Sequence, residues 1–195
     1  MARLPELKVF AKEHGLKIGT IASLIEYRSA REKLIEPVGQ YTMQTAFGEF
    51  KAVLYREPTA GQTHLALVYG DVAQADVVPV RVHEPFSVLD LLDTQNTTHS
   101  VSLTAALQHI QQQGVGVAVL LNCQEQSNRL VTQFQRLSAP ENASEAAPIE
   151  LRLYGIGAQI LKDVGVKRMN LLGSTRKMPS MSGFDLEVVG FTAID

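Results

Sequence analysis

The chain has 195 residues, with 18 Lys and Arg against 20 Asp and Glu, a formal net charge of −2. That length suits one core, or one domain with an appendage. Near-neutral charge supplies no footprint for nucleic acid or for an anionic membrane surface, so neither is expected as a partner. The only cysteine is Cys123, which rules out an intramolecular disulfide and a multi-cysteine zinc site. No apolar run approaches the roughly 20 residues that span a bilayer. MARLPELKVF lacks a basic flank followed by an apolar run, so no secretory signal is expected and the compartment is read as cytoplasmic.

The first 36 residues read as a helical tail. Leu7, Phe10 and Ala11 share one helical face, and Gly15 stops it. A second helix follows Thr20, its N-cap, with Ile21, Leu24 and Ile25 on one face. Pro37 ends the helical signal. Two short helices cannot fold alone and need another surface. Residues 37–195 form the second unit. From Val38 to His83 the period changes to two, giving four strands with short links and predicting an antiparallel meander. Pro79 favours an edge strand or the first residues of its strand.

The remainder alternates helix and strand. Leu103, Ala106, Leu107 and Ile110 form an apolar stripe ended by Gly114. Val115 to Leu121 is apolar throughout, as suits a strand buried on both faces. Residues 124–137 are helix-compatible, and 138–148 read as a surface loop. Ile156, Ile160 and Val164 lie along a helix ending at Gly165; 169–172 and 186–189 are the last strands. The fold class is α+β, or a mixed α/β sheet.

Several residues invite chemistry. Arg81 and His83 share one face of the fourth strand and could hold a phosphate or carboxylate; the spacing alone favours an exposed polar face of a half-buried sheet. The five histidines show no metal spacing along any helix. Even His83 with His99 would need two further ligands that the local sequence does not offer, so no metal is expected. Gly155 and Gly157 make a G-x-G without the third glycine or preceding strand of a dinucleotide fingerprint, and they read as close packing at a helix start. Arg152, just before that helix, could meet an anion at its N-terminus; a solvated arginine is the alternative. Residues 173–177 read either as a phosphate-binding turn or as an ordinary basic one. Cys123 reads as a buried filler.

Two segments resemble known families. FAKEHGLKIGTIASLIEYR (10–28), with the residues before it, resembles the C-terminal end of 3,4-dihydroxy-2-butanone 4-phosphate synthase. HLALVYGD (64–71), VPVRVH (78–83), GVGVAVLL (114–121), LYGIGAQILKDVGVKRMNLL (153–172) and GFDLEVVGF (183–191) resemble GTP cyclohydrolase II. The two resemblances imply the C-terminal part of a two-domain riboflavin-biosynthesis protein: a synthase tail over 1–36 and a cyclohydrolase-like domain over 37–195. They also imply the synthase domain as partner, a homodimer, and a nucleotide or phosphorylated small molecule as candidate ligand.

The site motifs depart from that family. Its three zinc-binding thiolates fall on Phe86, Thr97 and His99. Its glycine-rich phosphate loop falls on QEQSNRL (124–130), which has no glycine, and its guanine-recognition region is shortened to 138–148. Its Asp-x-Arg falls on Glu150-Leu151-Arg152, and its phosphate-holding Thr and Lys positions fall on 173–176 and Met178. The resemblance therefore leaves Glu150 and Arg152 as residual catalytic residues and Arg81 and His83 as binding residues. No cofactor is expected in this chain, and a divalent metal only in the synthase domain. The expected role is a degenerate domain without cyclohydrolase activity; the alternatives are a regulatory or binding module, or a residual metal-independent cyclohydrolase.

Overall fold

A computed structural model describes residues 3–21, 24, 27, 32–85, 87, 89–92, 99–123, 131, 134, 135, 151–175 and 181–194. Seven strands form one sheet in the order β1-β2-β3-β5-β4-β6-β7. They are β1 (Glu36–Thr45), β2 (Gly48–Arg56), β3 (Thr63–Tyr69), β4 (Val78–His83), β5 (Gly116–Leu120), β6 (Arg168–Leu172) and β7 (Glu187–Thr192). Among the described residues, helices with defined bounds are α1 (Leu4–Glu13), α2 (Leu89–Leu92), α3 (Leu103–Gln113) and α4 (Leu151–Asp163). The mixed α/β class is as expected.

The meander holds for β1, β2 and β3, which pair antiparallel in sequence order. It fails at the fourth strand. β5 inserts between β3 and β4, antiparallel to the first and parallel to the second. β4 then pairs parallel with β6 on its other side. Period two marks a strand but says nothing of its neighbour, and the long connections after β4 and β5 permit parallel crossovers. Pro79 therefore lies in a central strand. It is the second residue of β4, and the pairing with β5 begins only at Val80 with Val117. Its missing N–H thus falls outside that ladder.

The two crossovers, β4 to β5 through α3 and β5 to β6 through α4, run in opposite directions across the sheet. Right-handed connections then place their helices on opposite faces of the sheet. One core lies under α4, with Val53, Tyr55, Ala66, Val80, Val117, Val119, Ile156 and Ile160. The other lies under α3, with Phe50, Ala52, Leu67, Ala118, Ala106 and Ile110. β5 is buried on both faces, which explains its unbroken apolar run. Ser102 caps α3, its Oγ accepting from Ala105 N at 3.0 Å, and Gly114 ends it in the left-handed region.

Two glycines set how closely the chain can cross itself. A Cβ on Gly70, at φ +68°, would sit 2.3 Å from the Gly114 carbonyl oxygen. One on Gly116 would lie 2.7 Å from Ile110 Cγ1 and 3.0 Å from the Pro79 oxygen. The glycines of the G-x-G lie inside α4 and are not crowded: a Cβ on Gly157 would meet Val82 Cγ1 at 3.8 Å.

The amino-terminal segment is built differently. α1 has no buried residue, and Leu7, Phe10 and Leu24 are all exposed. Ile21, Leu24 and Tyr27 are helical, and Leu24 N donates to Thr20 O; Ile25 lies outside the described residues. The core begins at Leu34 and Ile35. There Gln159 of α4 accepts from Leu34 N and donates to Glu32 O, each at 2.9 Å. Among the described residues, no helix is long and apolar enough to cross a membrane.

Candidate functional site

β4, β5 and β6 are parallel, so their carboxyl ends meet at one edge of the sheet. In open α/β sheets this edge, where successive connections diverge, is where ligands bind. β3, antiparallel to that set, begins at the same edge, and β2, antiparallel to β3, ends there. Glu57, His64, His83, Asn122 and Arg152 all converge there. The sheet divides them into two groups.

On the α4 side, Arg152 Nη1 donates to Glu57 Oε1 at 2.7 Å, and Glu57 Oε2 lies 3.9 Å from His64 Nε2. The Glu57 side chain is only 4% exposed and that of Arg152 41% exposed. His64 is fully buried, and its Nδ1 accepts from Asn122 N at 3.1 Å. Asn122, held at φ 53°, also donates from Nδ2 to Glu84 Oε1 at 2.8 Å. Burial, and then the Arg152 guanidinium, push the His64 imidazole down to about 4. Arg152 is thus within the first turn of the described helix rather than before it.

On the α3 side lie Arg81 and His83. The expected exposed polar face is overturned: Arg81 is 7% and His83 2% exposed. The sheet is covered on both faces at β4, which the alternation of one strand cannot reveal. Arg81 donates from Nη1 to Leu172 O at 3.0 Å and from Nη2 to Val101 O at 2.6 Å. It thereby ties the end of β6 to the start of α3. The His83 ring lies against that of His99, with centroids 4.2 Å apart and the planes tilted by 46°. Burial first, then the neighbouring His99 and Arg81, push His83 down to about 3, with Asp90 acting in the opposite sense.

The structure therefore brings Arg81 and His83 together and places Arg152 across the sheet from them. Glu150, Phe86, Thr97, Met178 and the 124–130 and 138–148 segments lie outside the described residues. Cys123 is exposed rather than a buried filler, with Sγ 3.5 Å from Leu120 O. It follows the end of β5, where the chain leaves the sheet. Sequence reasoning missed Glu57, His64, Asn122 and Asp90. Each lies at or beyond the end of a strand, and a signal was available in the polar residues that interrupt apolar runs at this edge.

A mixed sheet covered by helices on both faces, with polar groups gathered where its parallel strands end, defines a mixed α/β domain with a candidate site at that edge. A family model described as GTP cyclohydrolase II matches residues 36–193, and the chain belongs to that family. A 3,4-dihydroxy-2-butanone 4-phosphate synthase of Neisseria meningitidis serogroup B is 48% identical over 191 residues, covering 98% of this chain and 51% of the relative. A riboflavin biosynthesis protein RibBA of Aquifex aeolicus is 37% identical over 199 residues, covering 97% of this chain and 50% of the relative. Among solved structures, RibBX of A. baumannii, a two-domain 3,4-dihydroxy-2-butanone 4-phosphate synthase, matches with a TM-score of 0.62 at 37% identity. It is matched over 100% of this chain and 51% of its own. The chain spans about half the length of the curated relatives it matches.

The family resemblance implies a zinc held by three thiolates. Three thiolates cannot be assembled from a chain whose only cysteine is Cys123. The thiolate site does not fit these residues.

Proposed function

We propose that this GTP cyclohydrolase II-type domain does not open the imidazole ring of GTP. Its place is that of a companion domain in a riboflavin-pathway protein whose activity is 3,4-dihydroxy-2-butanone 4-phosphate synthesis. The observation that carries this reading is the donor chemistry: the chain has a single cysteine, and the positions that the resemblance assigns to the three thiolates hold Phe86, Thr97 and His99. Opening a purine ring needs an activated water, and the thiolate-held zinc that the resemblance implies would supply it. The glycine-free 124–130 segment agrees, since side chains there would obstruct the close backbone approach a phosphate loop makes. The engagement of Arg81 with two backbone carbonyls also agrees, because it gives that residue a structural task. The test is formate release from GTP by the chain in the presence of zinc. None is expected, and turnover would overturn the reading.

A second reading, a binding module for a nucleotide or phosphorylated metabolite, is favoured by one observation. Arg152 keeps 41% of its side chain exposed at the ligand-binding edge while anchored to Glu57. Calorimetry against GTP, GMP, flavin mononucleotide and ribulose 5-phosphate tests it. Saturable binding lost in Arg152→Met supports the module, and no heat at millimolar ligand leaves a structural role.

A further inference from the structure

His83 closes β4, Asp90 lies in α2, and His99 precedes α3. One ligating atom from each lies within 4.8 Å of the others. Asp90 Oδ2 and His99 Nε2 are 3.3 Å apart. Ligand atoms held about 2.1 Å from a tetrahedral zinc lie roughly 3.4 Å from one another. The Asp90–His99 pair already has that separation, and the widest gap closes with side-chain movement on the order of 1 Å.

A second observation is independent of the clustering. His83 is 2% exposed, and neither Nδ1 nor Nε2 has a hydrogen-bond partner. Buried polar groups are almost always satisfied, so an imidazole with two unmet nitrogens calls for a missing partner. A cation ligated by one of them is such a partner. The Asp90 side chain is 1% exposed, so its carboxylate is also out of water.

We propose that His83, Asp90 and His99 hold one divalent cation of the zinc type, in a site that uses no thiolate. Two imidazoles and one carboxylate suit borderline first-row cations, whereas magnesium and calcium take all-oxygen sets. Three protein ligands leave a fourth position open to water or an anionic ligand. The nearby positive group, Arg81, directs its Nη atoms to the Val101 and Leu172 carbonyls. The Asp90 charge lowers the remaining electrostatic cost of a cation beside it. A cation held here would not by itself restore GTP turnover, because the segment that the resemblance assigns to the phosphate loop, 124–130, has no glycine and the guanine-recognition region is shortened; the two proposals are read by different assays.

The experiment uses the whole chain carrying Cys123→Ser, free of affinity-tag histidines, so that the exposed thiol contributes nothing. Co2+ is titrated while its visible d–d absorption is followed, and Zn2+ is then added to displace it. One equivalent of Co2+ is expected to bind with a tetrahedral-type spectrum and to be displaced by one equivalent of Zn2+. Asp90→Asn and His99→Ala should each weaken binding more than about tenfold, since even second-shell losses cost 10–100-fold. His109→Ala, on α3 outside the cluster, should bind as the parent does. Circular dichroism checks that each variant is folded, and His83 is left intact because of its burial. No spectral change at millimolar Co2+, or binding unaltered in both folded variants, would overturn the proposal.

Discussion

Acid should destabilise this domain through His64 in a way that one substitution can isolate. His64 is fully buried and held down to about 4, against an ordinary value near 6.5. The groups facing it are Glu57 and Arg152, which pair with each other. The unfolded chain binds a proton at this position below pH 6.5, while the folded chain does not until about pH 4. Stability is therefore lost as the pH falls through that window, by about 1.4 kcal/mol per unit for this one group. At pH 5 the loss from His64 is about 2 kcal/mol. His64→Asn removes the titration, and an Asn carbonyl oxygen can still accept from Asn122 N. Urea unfolding of both proteins near pH 7.5 and pH 5 gives the comparison, in which all other titrating groups cancel. The parent should lose about 2 kcal/mol more than the variant over that interval. Equal losses would refute the reasoning and mean that His64 is protonated in the folded state at pH 5.

Three other outcomes follow from the geometry. Arg152→Met removes the partner of a carboxylate that is 4% exposed and should cost about 1–3 kcal/mol at neutral pH, less than a fully buried pair because water can reach the arginine end. Chemical denaturation at neutral pH checks it. Gly116→Ala should destabilise by about 1–3 kcal/mol, since its Cβ would meet Ile110 and the Pro79 carbonyl, whereas Gly157→Ala should stabilise by about 0.5–1 kcal/mol, because a helix-interior methyl has room there; thermal unfolding compares them. Amides of α1, whose helix buries no side chain, should exchange faster than those of β5 at low protein concentration and gain protection as concentration rises and two chains pair. Slow exchange of α1 that is independent of concentration would show that it docks on its own domain.

The elements themselves were legible from local pattern. The stripe in α3, the double-sided apolar run of β5 and the alternation of β2 and β3 each follow from burial imposed at the period of the backbone. Gly114 and Gly165 marked helix ends because a left-handed residue there is cheapest without a Cβ. Strand order was not legible. The insertion of β5 between β3 and β4 depends on which surfaces α3 and α4 must cover, and pairing partners leave no mark on a strand's own sequence. The same insertion decided the site. With β4 central and covered on both faces, Arg81 and His83 passed from an apparent solvent face into the interior. Asp90 lies close to His83 in the fold, a proximity that residue spacing along a helix or strand does not encode. The sequence alone determined that three thiolates could not be present, since composition is a limit no fold can relax. Which side chains stand in their neighbourhood, and that Arg152 faces the opposite side of the sheet, was decided by the handedness of two crossovers and the alternation of the strands between them.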